Sequence, residues 1–411
     1  MKMKTYLLSG LTFFIVLNAY AQIPSDSTLL SALRGGAILT GVPFLMIAPD
    51  SRAGAMGDIG AGTSADLYSQ HWNPAKYPYI EDKAGFSLTY SPWLRALVND
   101  MNLLYFTGYY KIDDRSAVSA SITYFSMGEV IFRKEQGEQG QPYRPNEFAI
   151  DAAYSRKLTD NFSMAVAARY IMSNLTGGYS TLEGSRGKAA HAGAADVSMF
   201  YTQDFAVKNL ENSTLGVGLS ITNLGSKISY SEATRKDFLP ANLRIGVAYN
   251  MQIDEYNKVA IAADVNKLLV PTAPVYAYDS ITGDPIYDNE GNQVIAAGRN
   301  PDVNVMMGVI QSWYDAPGGF KEEMQEWTWS LGAEYWYRDI LAFRAGYFHE
   351  SKWKGHRQYV TVGLGLKFSI VSFDMSYLVP TVSGTSNPLK NTLRFSLGFN
   401  FGEYMRQRRG K

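Results

Sequence analysis

Residues that commonly act in catalysis or bind metals are few and scattered in this 411-residue sequence. The four histidines, His71, His191, His349 and His356, lie far apart, and none forms the His-x-x-x-His pair typical of zinc sites. There is no cysteine, which excludes disulfides, thiolate ligands and cysteine nucleophiles. The sequence also lacks the Gly-x-Ser-x-Gly turn of many hydrolases and the glycine loop that binds phosphates. We therefore predict that the protein is not an enzyme and needs neither a metal nor a cofactor.

Aromatic side chains in a long connecting stretch are the other chemically distinctive group. Trp313, Tyr314 and Phe320 lie within residues 269–325, where we also expect a short helix to start at Phe320. Aromatic side chains contribute much of the binding energy at protein interfaces, so these three residues are candidates for a binding surface. They could equally serve only to fold the loop against the rest of the protein.

The elements that must position these residues are β-strands. From Ala84 to Phe401, apolar and polar residues alternate with the period of two that places successive side chains on opposite faces of a strand. In 392–401, for example, every second residue is leucine or phenylalanine. We predict about fourteen strands, at 84–91, 99–110, 115–126, 146–157, 161–172, 190–206, 212–224, 240–252, 257–269, 326–338, 340–350, 357–368, 370–379 and 391–401.

The polar faces of these segments indicate a barrel lumen. They carry glycine, serine, threonine and asparagine, whereas the outer face of a soluble β-sandwich would be rich in lysine and glutamate. Many segments have the ten or so residues that a tilted strand needs to cross a bilayer. The single charges Arg244, Arg344, Arg394, Asp264 and Glu334 could line a pore or pair with one another, and we favour pairing that fills the lumen.

The links between segments alternate between short and long, as in outer-membrane barrels. With both chain ends on the side of the short links, the number of strands must be even. The sequence therefore predicts an all-β fold, a transmembrane β-barrel of about fourteen antiparallel strands that lies in the lipid bilayer of the outer membrane. Lysine plus arginine equals aspartate plus glutamate, 38 against 38, so nothing indicates a surface for nucleic acid.

The N-terminus resembles a secretory signal peptide, with two lysines, an apolar stretch from Tyr6 to Leu17 and a small-x-small cleavage site before Gln22. The next sixty residues are rich in glycine, alanine and serine, which allow close backbone approach and favour a plug inside the barrel. The expected organisation is a signal peptide at 1–21, a plug at 22–83, a barrel at 84–401 with long outer loops at 126–145, 173–189 and 269–325, and a periplasmic tail at 402–411.

The block from Ala48 to Gly60, together with a later Trp-Asn-Pro-Ala element, resembles the PorV family, FadL-like outer-membrane barrels of the type IX secretion system of Bacteroidetes. The sister families PorQ and PorP share parts of this pattern. The motif residues that the resemblance assigns to the plug are Arg52, Gly57, Asn73, Pro74 and Ala75. The resemblance implies a FadL-like barrel of fourteen strands with an N-terminal plug.

The same resemblance implies a function without catalysis. Such a barrel binds secreted cargo proteins by their C-terminal signal domains at the large outer-membrane translocon. It then delivers them to the surface attachment complex, where a sortase-like protease removes the signal. Trp313, Tyr314 and Phe320 would be the candidate residues for binding cargo or partners. An alternative is a FadL-like transporter of hydrophobic small molecules, which would need an apolar pocket and an opening in the barrel wall or a movable plug.

Overall fold

A computed structural model describes residues 36–94, 100–132, 140–178, 187–208, 210–230, 236–279, 282–382, 389 and 392–402. The expected signal peptide and residues 403–411 of the expected tail lie outside the described residues. Within the described ranges, no helix has both the length and the apolar character needed to cross a membrane.

Strands dominate the described chain. They are β1 (Ala84–Pro92), β2 (Met101–Lys111), β3 (Ser116–Met127), β4 (Val130–Phe132), β5 (Gln141–Tyr143), β6 (Asn146–Lys157), β7 (Phe162–Asn174), β8 (Ala190–Phe205), β9 (Asn212–Gly225), β10 (Asn242–Gln252), β11 (Asn257–Leu268), β12 (Val275–Tyr276), β13 (Ile295–Ala297), β14 (Thr328–Tyr337), β15 (Leu341–His349), β16 (Gln358–Phe368), β17 (Val371–Pro380) and β18 (Thr392–Asn400). The pairs β4–β5 and β12–β13 form two small hairpins within loops. The other fourteen strands close into one antiparallel barrel, with β1 paired to β18.

The predicted fold class is therefore confirmed. All fourteen predicted segments are barrel strands, and none of their ends differs from its predicted position by more than two residues. Short helices supplement them, as α-helices at Ser51–Ala55, Ser69–Trp72, Val305–Gln311 and Phe320–Gln325, and as 3-10 helices at Pro43–Met46 and Pro74–Tyr79.

Tight and long connections lie at opposite ends of the barrel. The tight ones span 112–115, 158–161, 206–211, 253–256, 338–340 and 369–370. Between β14 and β15, Arg338 and Asp339 both have φ near 55° and Ile340 N donates to Tyr337 O. Two successive left-handed residues are the geometry that matches a hairpin turn to the twist of its strands. We call this end of the barrel the turn end and the opposite end the loop end.

The two faces of the wall differ as the alternation predicts. In β1, Ser87 and Thr89 are buried inside the barrel, while Phe86 and Leu88 lie on the outer surface. Along β18, Arg394 faces inward and is buried, in the same alternating pattern. The outer face is thus an apolar belt, and the inner face is polar.

The lumen is filled by the chain that precedes β1, which we call the lumen segment (residues 36–83). It begins at the loop end, where Gly36 lies against Trp353 O and Gly41 N donates to Phe238 O. It descends through the barrel and joins β1 at the turn end. The barrel itself begins with β1 and ends with β18 at the turn end, whereas residues before 36 lie outside the described part of the chain, so the side on which the N-terminal end lies stays a prediction. Alternation within strands carries no information about the course of a segment that has no strands.

Candidate functional site

Small residues let the lumen segment lie directly against the inner wall. The Ser51–Ala55 helix packs beside β15, β16, β17 and β18, and Pro74–Tyr79 packs beside β3, β6, β7 and β8. Added Cβ atoms would lie 2.6 Å from Arg394 Nη1 at Gly54 and 2.6 Å from the backbone of Gly246 at Gly62. The density of glycine and alanine in this region therefore follows from contact between two backbones on several sides of the barrel.

A buried ionic network joins the lumen segment to the wall. Arg52 donates through Nε and Nη2 to both carboxylate oxygens of Glu334 in β14, at 3.1 and 2.8 Å, and through Nη1 to Asp66 at 2.7 Å. Arg344 in β15 donates to the same Glu334 and to Asp374 in β17, at 2.5 and 2.7 Å. Two arginines and three carboxylates thus join the lumen segment to the three strands β14, β15 and β17. Such two-pronged pairs between arginine and carboxylate fix geometry strongly.

The other single charges predicted for the lumen also contact this segment. Asp264 accepts hydrogen bonds from the backbone N–H groups of Gly60 and Ala61. The guanidinium of Arg394 donates to Ala48 O and lies 3.7 Å from Asp58. Arg244 stacks on the Trp72 ring, 4.4 Å from its centroid. Of the two alternatives, a pore lining or a packed network, these contacts fit the packed network.

The Asn-Pro-Ala element turns the lumen segment toward the wall. The Asn73 amide donates to Ala61 O and to Met199 O in β8, and its oxygen accepts from Ala75 N. Pro74 opens the following 3-10 helix, where a missing N–H costs nothing. Ala75 O accepts from Ser163 Oγ of β7 at 2.6 Å. Together with Arg52 and Gly57, the residues assigned to the plug motif therefore all lie buried in the lumen.

Gly57 supplies a test of how tightly the segment is fitted. Its φ is 78°, and an added Cβ would lie 2.8 Å from Tyr347 O. Gly283 has a φ of 76° but nothing within 4 Å of that position. Gly283→Ala should therefore cost only the left-handed strain of about 1 kcal/mol. Gly57→Ala should cost about 2 kcal/mol more, because backbone on the facing strand cannot yield easily.

Unfolding midpoints of the two variants in detergent, together with antibiotic sensitivity of cells carrying them, measure this difference. We expect only Gly57→Ala to lower the midpoint by several degrees and to increase sensitivity. Equal effects of the two substitutions would mean that the wall does not confine the segment at Gly57.

The long connection between β11 and β14 is anchored on the barrel rim by buried charges. Lys267 donates to Glu323 and Glu326 at 3.2 and 2.6 Å, and Lys354 donates to Glu322 and Glu326 at 2.7 and 3.0 Å. All five side chains are buried. These ion pairs fix the helix Phe320–Gln325 and the following residue, Glu326, against β11 and the loop that follows β15.

Asp315 completes this anchor. Its carboxylate accepts from Thr272 N at 3.1 Å. Burial raises its pKa to about 7, and the nearby carboxylates of Glu326 and Glu323 add to the rise. The Thr272 hydroxyl in turn donates to Glu326 at 2.6 Å. The Asp-Ala-Pro-Gly-Gly stretch that begins at Asp315 is thus part of the fixed base of the loop.

In the anchored helix Phe320–Gln325, charged side chains are buried and apolar side chains are exposed, which is the reverse of an ordinary surface helix. It buries Glu322 and Glu323 and exposes Phe320 and Met324, which are neighbours one turn apart on its outer side. Phe320 is 80% exposed. An apolar outer side and a charged inner side are the opposite of the pattern that solvent favours. The arrangement therefore presents an apolar surface held in place by ion pairs.

The helix Val305–Gln311 adds a second apolar face. Its Gly308 lies close against Phe238, and Gln311 donates to Asn300 O, so this side is packed. Met306 and Ile310, one turn apart, remain exposed. We define the loop surface as the exposed apolar residues Met306, Met307, Ile310, Trp313, Tyr314, Phe320 and Met324.

The three aromatic residues predicted from sequence have different positions within this surface. Trp313 packs edge-on against Trp327 at 6.1 Å and is about half exposed, and Tyr314 lies beneath Arg299. Of the three side chains, that of Phe320 is by far the most exposed. The methionines were missed, because the sequence Val-Met-Met-Gly-Val-Ile reads equally well as a buried core segment. The available signal for an exposed apolar surface was the position of this apolar run inside a long, turn-rich connection.

The fold and the filled lumen define a closed β-barrel of fourteen strands with an apolar outer belt, the architecture of outer-membrane barrels. A sequence profile described as type IX secretion system protein PorV matches residues 31–275. Because the match spans more than half of the chain, the protein belongs to the PorV family.

Solved structures with a similar course of chain have low sequence identity. The toluene transporter TodX of Pseudomonas putida has 14% identity and a TM-score of 0.45, covering 88% of this chain and 97% of its own. TbuX of Ralstonia pickettii, also a toluene transporter, has 14% identity and a TM-score of 0.43, covering 85% and 97%. A FadL homologue of Pseudomonas aeruginosa has 13% identity and a TM-score of 0.40, covering 89% and 100%. No match was found among curated proteins.

Proposed function

We propose that this protein is a non-enzymatic component of the type IX secretion system, embedded in the outer membrane, that binds secreted cargo proteins through the loop surface. The cargo is recognised by its C-terminal signal domain. After binding at the large translocon, it is delivered to the attachment complex that contains a sortase-like surface protease. The loop end then faces outward and the turn end faces the periplasm.

The reversed helix Phe320–Gln325 is the observation that carries this proposal. Exposing Phe320 and Met324 to water is unfavourable, since each large apolar side chain gains about 1.5–3 kcal/mol on burial. Buried ion pairs of Lys267 with Glu323 and of Lys354 with Glu322 prevent the helix from rotating to bury these apolar side chains. A rigid apolar surface of this kind loses little conformational entropy when a partner covers it.

The filled lumen supports a role in binding rather than in conduction. Every pair of neighbouring strands in the described wall is joined by a ladder of six or more registered residue pairs, the shortest being β1–β18. The segment inside is tied to that wall by the Arg52 network. A transporter of hydrophobic small molecules, the alternative reading, would need a breach in the wall or a segment that moves aside.

Binding of a defined reporter tests the proposal. A soluble reporter fused to the C-terminal signal domain of a type IX cargo protein should bind the purified barrel, and the same reporter without that domain should not. The alternative predicts instead that the barrel carries a fatty acid or another hydrophobic small molecule when it is purified from its membrane. Bound lipid together with no difference between the two reporters would contradict our proposal.

A further inference from the structure

The buried base of the loop surface holds more carboxylates than basic side chains. Its six charged residues, which we call the anchor cluster, are Asp315, Glu322, Glu323, Glu326, Lys267 and Lys354. All six are buried. With every group ionised, the anchor cluster carries two excess negative charges. Buried charge without a partner is costly, so this excess favours the uptake of a proton or a cation.

The excess charge falls on Asp315, because each of the three glutamates pairs with a lysine. Two of them also accept backbone hydrogen bonds, Glu322 from Gly318 N and Glu323 from Ala316 N. Asp315 pairs with no lysine in the described part of the chain. Its Oδ2 accepts from Thr272 N, whereas its Oδ1 has no hydrogen-bond partner among the described residues, although the residue is only 1% exposed.

The elements packed around Asp315 do not supply the missing charge. Glu323 of the helix Phe320–Gln325 and Glu326 after it face it with further negative charge. Lys267 of β11 and Lys354 in the loop after β15 direct their ammonium groups to the glutamates. From the helix Val305–Gln311, the Gln311 amide donates to Asn300 O.

A proton, rather than a metal ion, matches this vacancy in charge. Within the described ranges, no group of three or more histidines and carboxylates is arranged to hold a metal ion. A protonated carboxyl carries no charge and has one O–H to donate, which gives the unused oxygen of Asp315 a role.

The affinity of Asp315 for that proton lies in the ordinary pH range. Burial raises its pKa to about 7, and the carboxylates of Glu326 and Glu323 raise it further. Burial also favours protonation of Glu326, but Lys354 and Lys267 outweigh it and hold the pKa of Glu326 below its usual value. Near neutral pH, Asp315 is therefore the member of the anchor cluster that gains or loses a proton.

We propose that the anchor cluster is a protonation switch for the loop surface. A proton on Asp315 fixes the helix Phe320–Gln325 to the barrel rim, and loss of the proton releases it, because the new charge repels Glu323 and Glu326. Release lets the buried carboxylates reach water and removes the fixed positions of Phe320 and Met324. As regulation of cargo binding, this inference rests on the proposed function.

The direction of the pH effect follows from the raised pKa. Asp315 titrates near its ordinary pKa of 3.8 once the helix is released, and at about 7 while the helix is anchored. Protonation thus stabilises the anchored state at low pH, and this stabilisation is lost as the pH rises toward 7. The equilibrium constant for release should rise about tenfold per pH unit between pH 5 and 7 and become constant above pH 7.

Hydrogen exchange of the purified full-length barrel in detergent measures release without any cargo. The amides of Ala316, Gly318 and Glu323 are hydrogen-bonded in the anchored state. We expect their protection factors to fall at least tenfold between pH 5.5 and pH 8. The Val294 amide, bonded to Ile286 O in the same long connection, is the control and should change less than twofold. Equal protection of the anchored amides at both pH values would overturn the proposal.

Two variants assign the effect to Asp315. Asp315→Asn is neutral at every pH and should remove the pH dependence of protection. Asp302→Asn should keep it, because Asp302 is an exposed carboxylate of the same connection that pairs with Lys227. Persistent pH dependence in the Asp315 variant would overturn the proposal. If that variant fails to fold, the parent still decides the matter, since its protection must stop changing above pH 7.

Affinity for the signal-domain reporter separates the switch from the proposed function. Relative to the Asp315→Asn variant, the parent should bind the reporter at least threefold more weakly at pH 8 than at pH 5.5. Falling protection together with constant affinity would uphold the switch and contradict the loop surface as the cargo site.

Discussion

Replacing Glu334 by alanine is expected to loosen the lumen segment and to cost about 3–5 kcal/mol of stability, the usual loss when one partner of a buried ion pair is removed. Without this carboxylate, Arg52 loses two of its hydrogen bonds and Arg344 one, while both guanidinium groups stay buried. We expect a markedly lower unfolding midpoint in detergent. Cells with the variant should also become more sensitive to large antibiotics that the intact barrel excludes.

The exposed pair between Lys258 in β11 and Asp339 in the turn after β14 provides the matched control, since its two charges are also only 2.7 Å apart. Asp339→Ala should change stability by less than about 1 kcal/mol, because water solvates both charges once they separate. Glu334→Gln, which keeps the shape and removes the charge, should fall between the two. If Glu334→Ala and Asp339→Ala behaved alike, the ionic network would not be what retains the lumen segment.

The second large effect is expected at the loop surface. Phe320→Ala combined with Met324→Ala should weaken binding of the signal-domain reporter at least tenfold, as the loss of an interface hot spot of about 2 kcal/mol does. Both side chains are exposed and point away from the ion pairs, so the unfolding midpoint should not change. Titration of labelled reporter against purified barrel gives the affinity.

Tyr287 is a suitable control, because it is 60% exposed in the same long connection but lies outside the loop surface. Tyr287→Ala should leave the affinity within about twofold of the parent, as for most residues outside a hot spot. Point variants are preferable to deletion of 308–325, which would strip Lys267 and Lys354 of their buried partners Glu322 and Glu323. Equal affinity for the Phe320 and Tyr287 variants would argue against the loop surface as the binding site.

The strands could be predicted because each inward position faces a crowded polar interior and each outward position an apolar belt. In β1, Ser87 and Thr89 alternate with Phe86 and Leu88 for that reason, and the pattern survives without any knowledge of neighbours. The tight hairpin links were visible for a related reason. Short turns bring consecutive apolar patterns close together in the sequence, whereas long loops separate them.

The interior arrangement could not be predicted from the same signal. The pairing of Arg52 with Glu334 joins residues 282 positions apart, and nothing in their local sequence selects this partner. Glycine and alanine in the lumen segment indicate close packing, but they do not indicate the direction in which the segment runs through the barrel. Likewise, the sequence suggests that Glu322 and Glu323 face solvent. They are buried instead because Lys267 and Lys354, distant in sequence, pair with them on the inner side of the helix.

The contacts of the last strand have a consequence for assembly. On β18, Ser396 bonds Ser51, and Arg394 bonds Ala48 O, so inward groups of the final strand find partners on the first described segment. The seam that this strand closes with β1 has only six registered pairs. Closure of the β1–β18 seam and packing of the lumen segment therefore stabilise each other, because the inward groups of β18 complete these hydrogen bonds only with the segment in place.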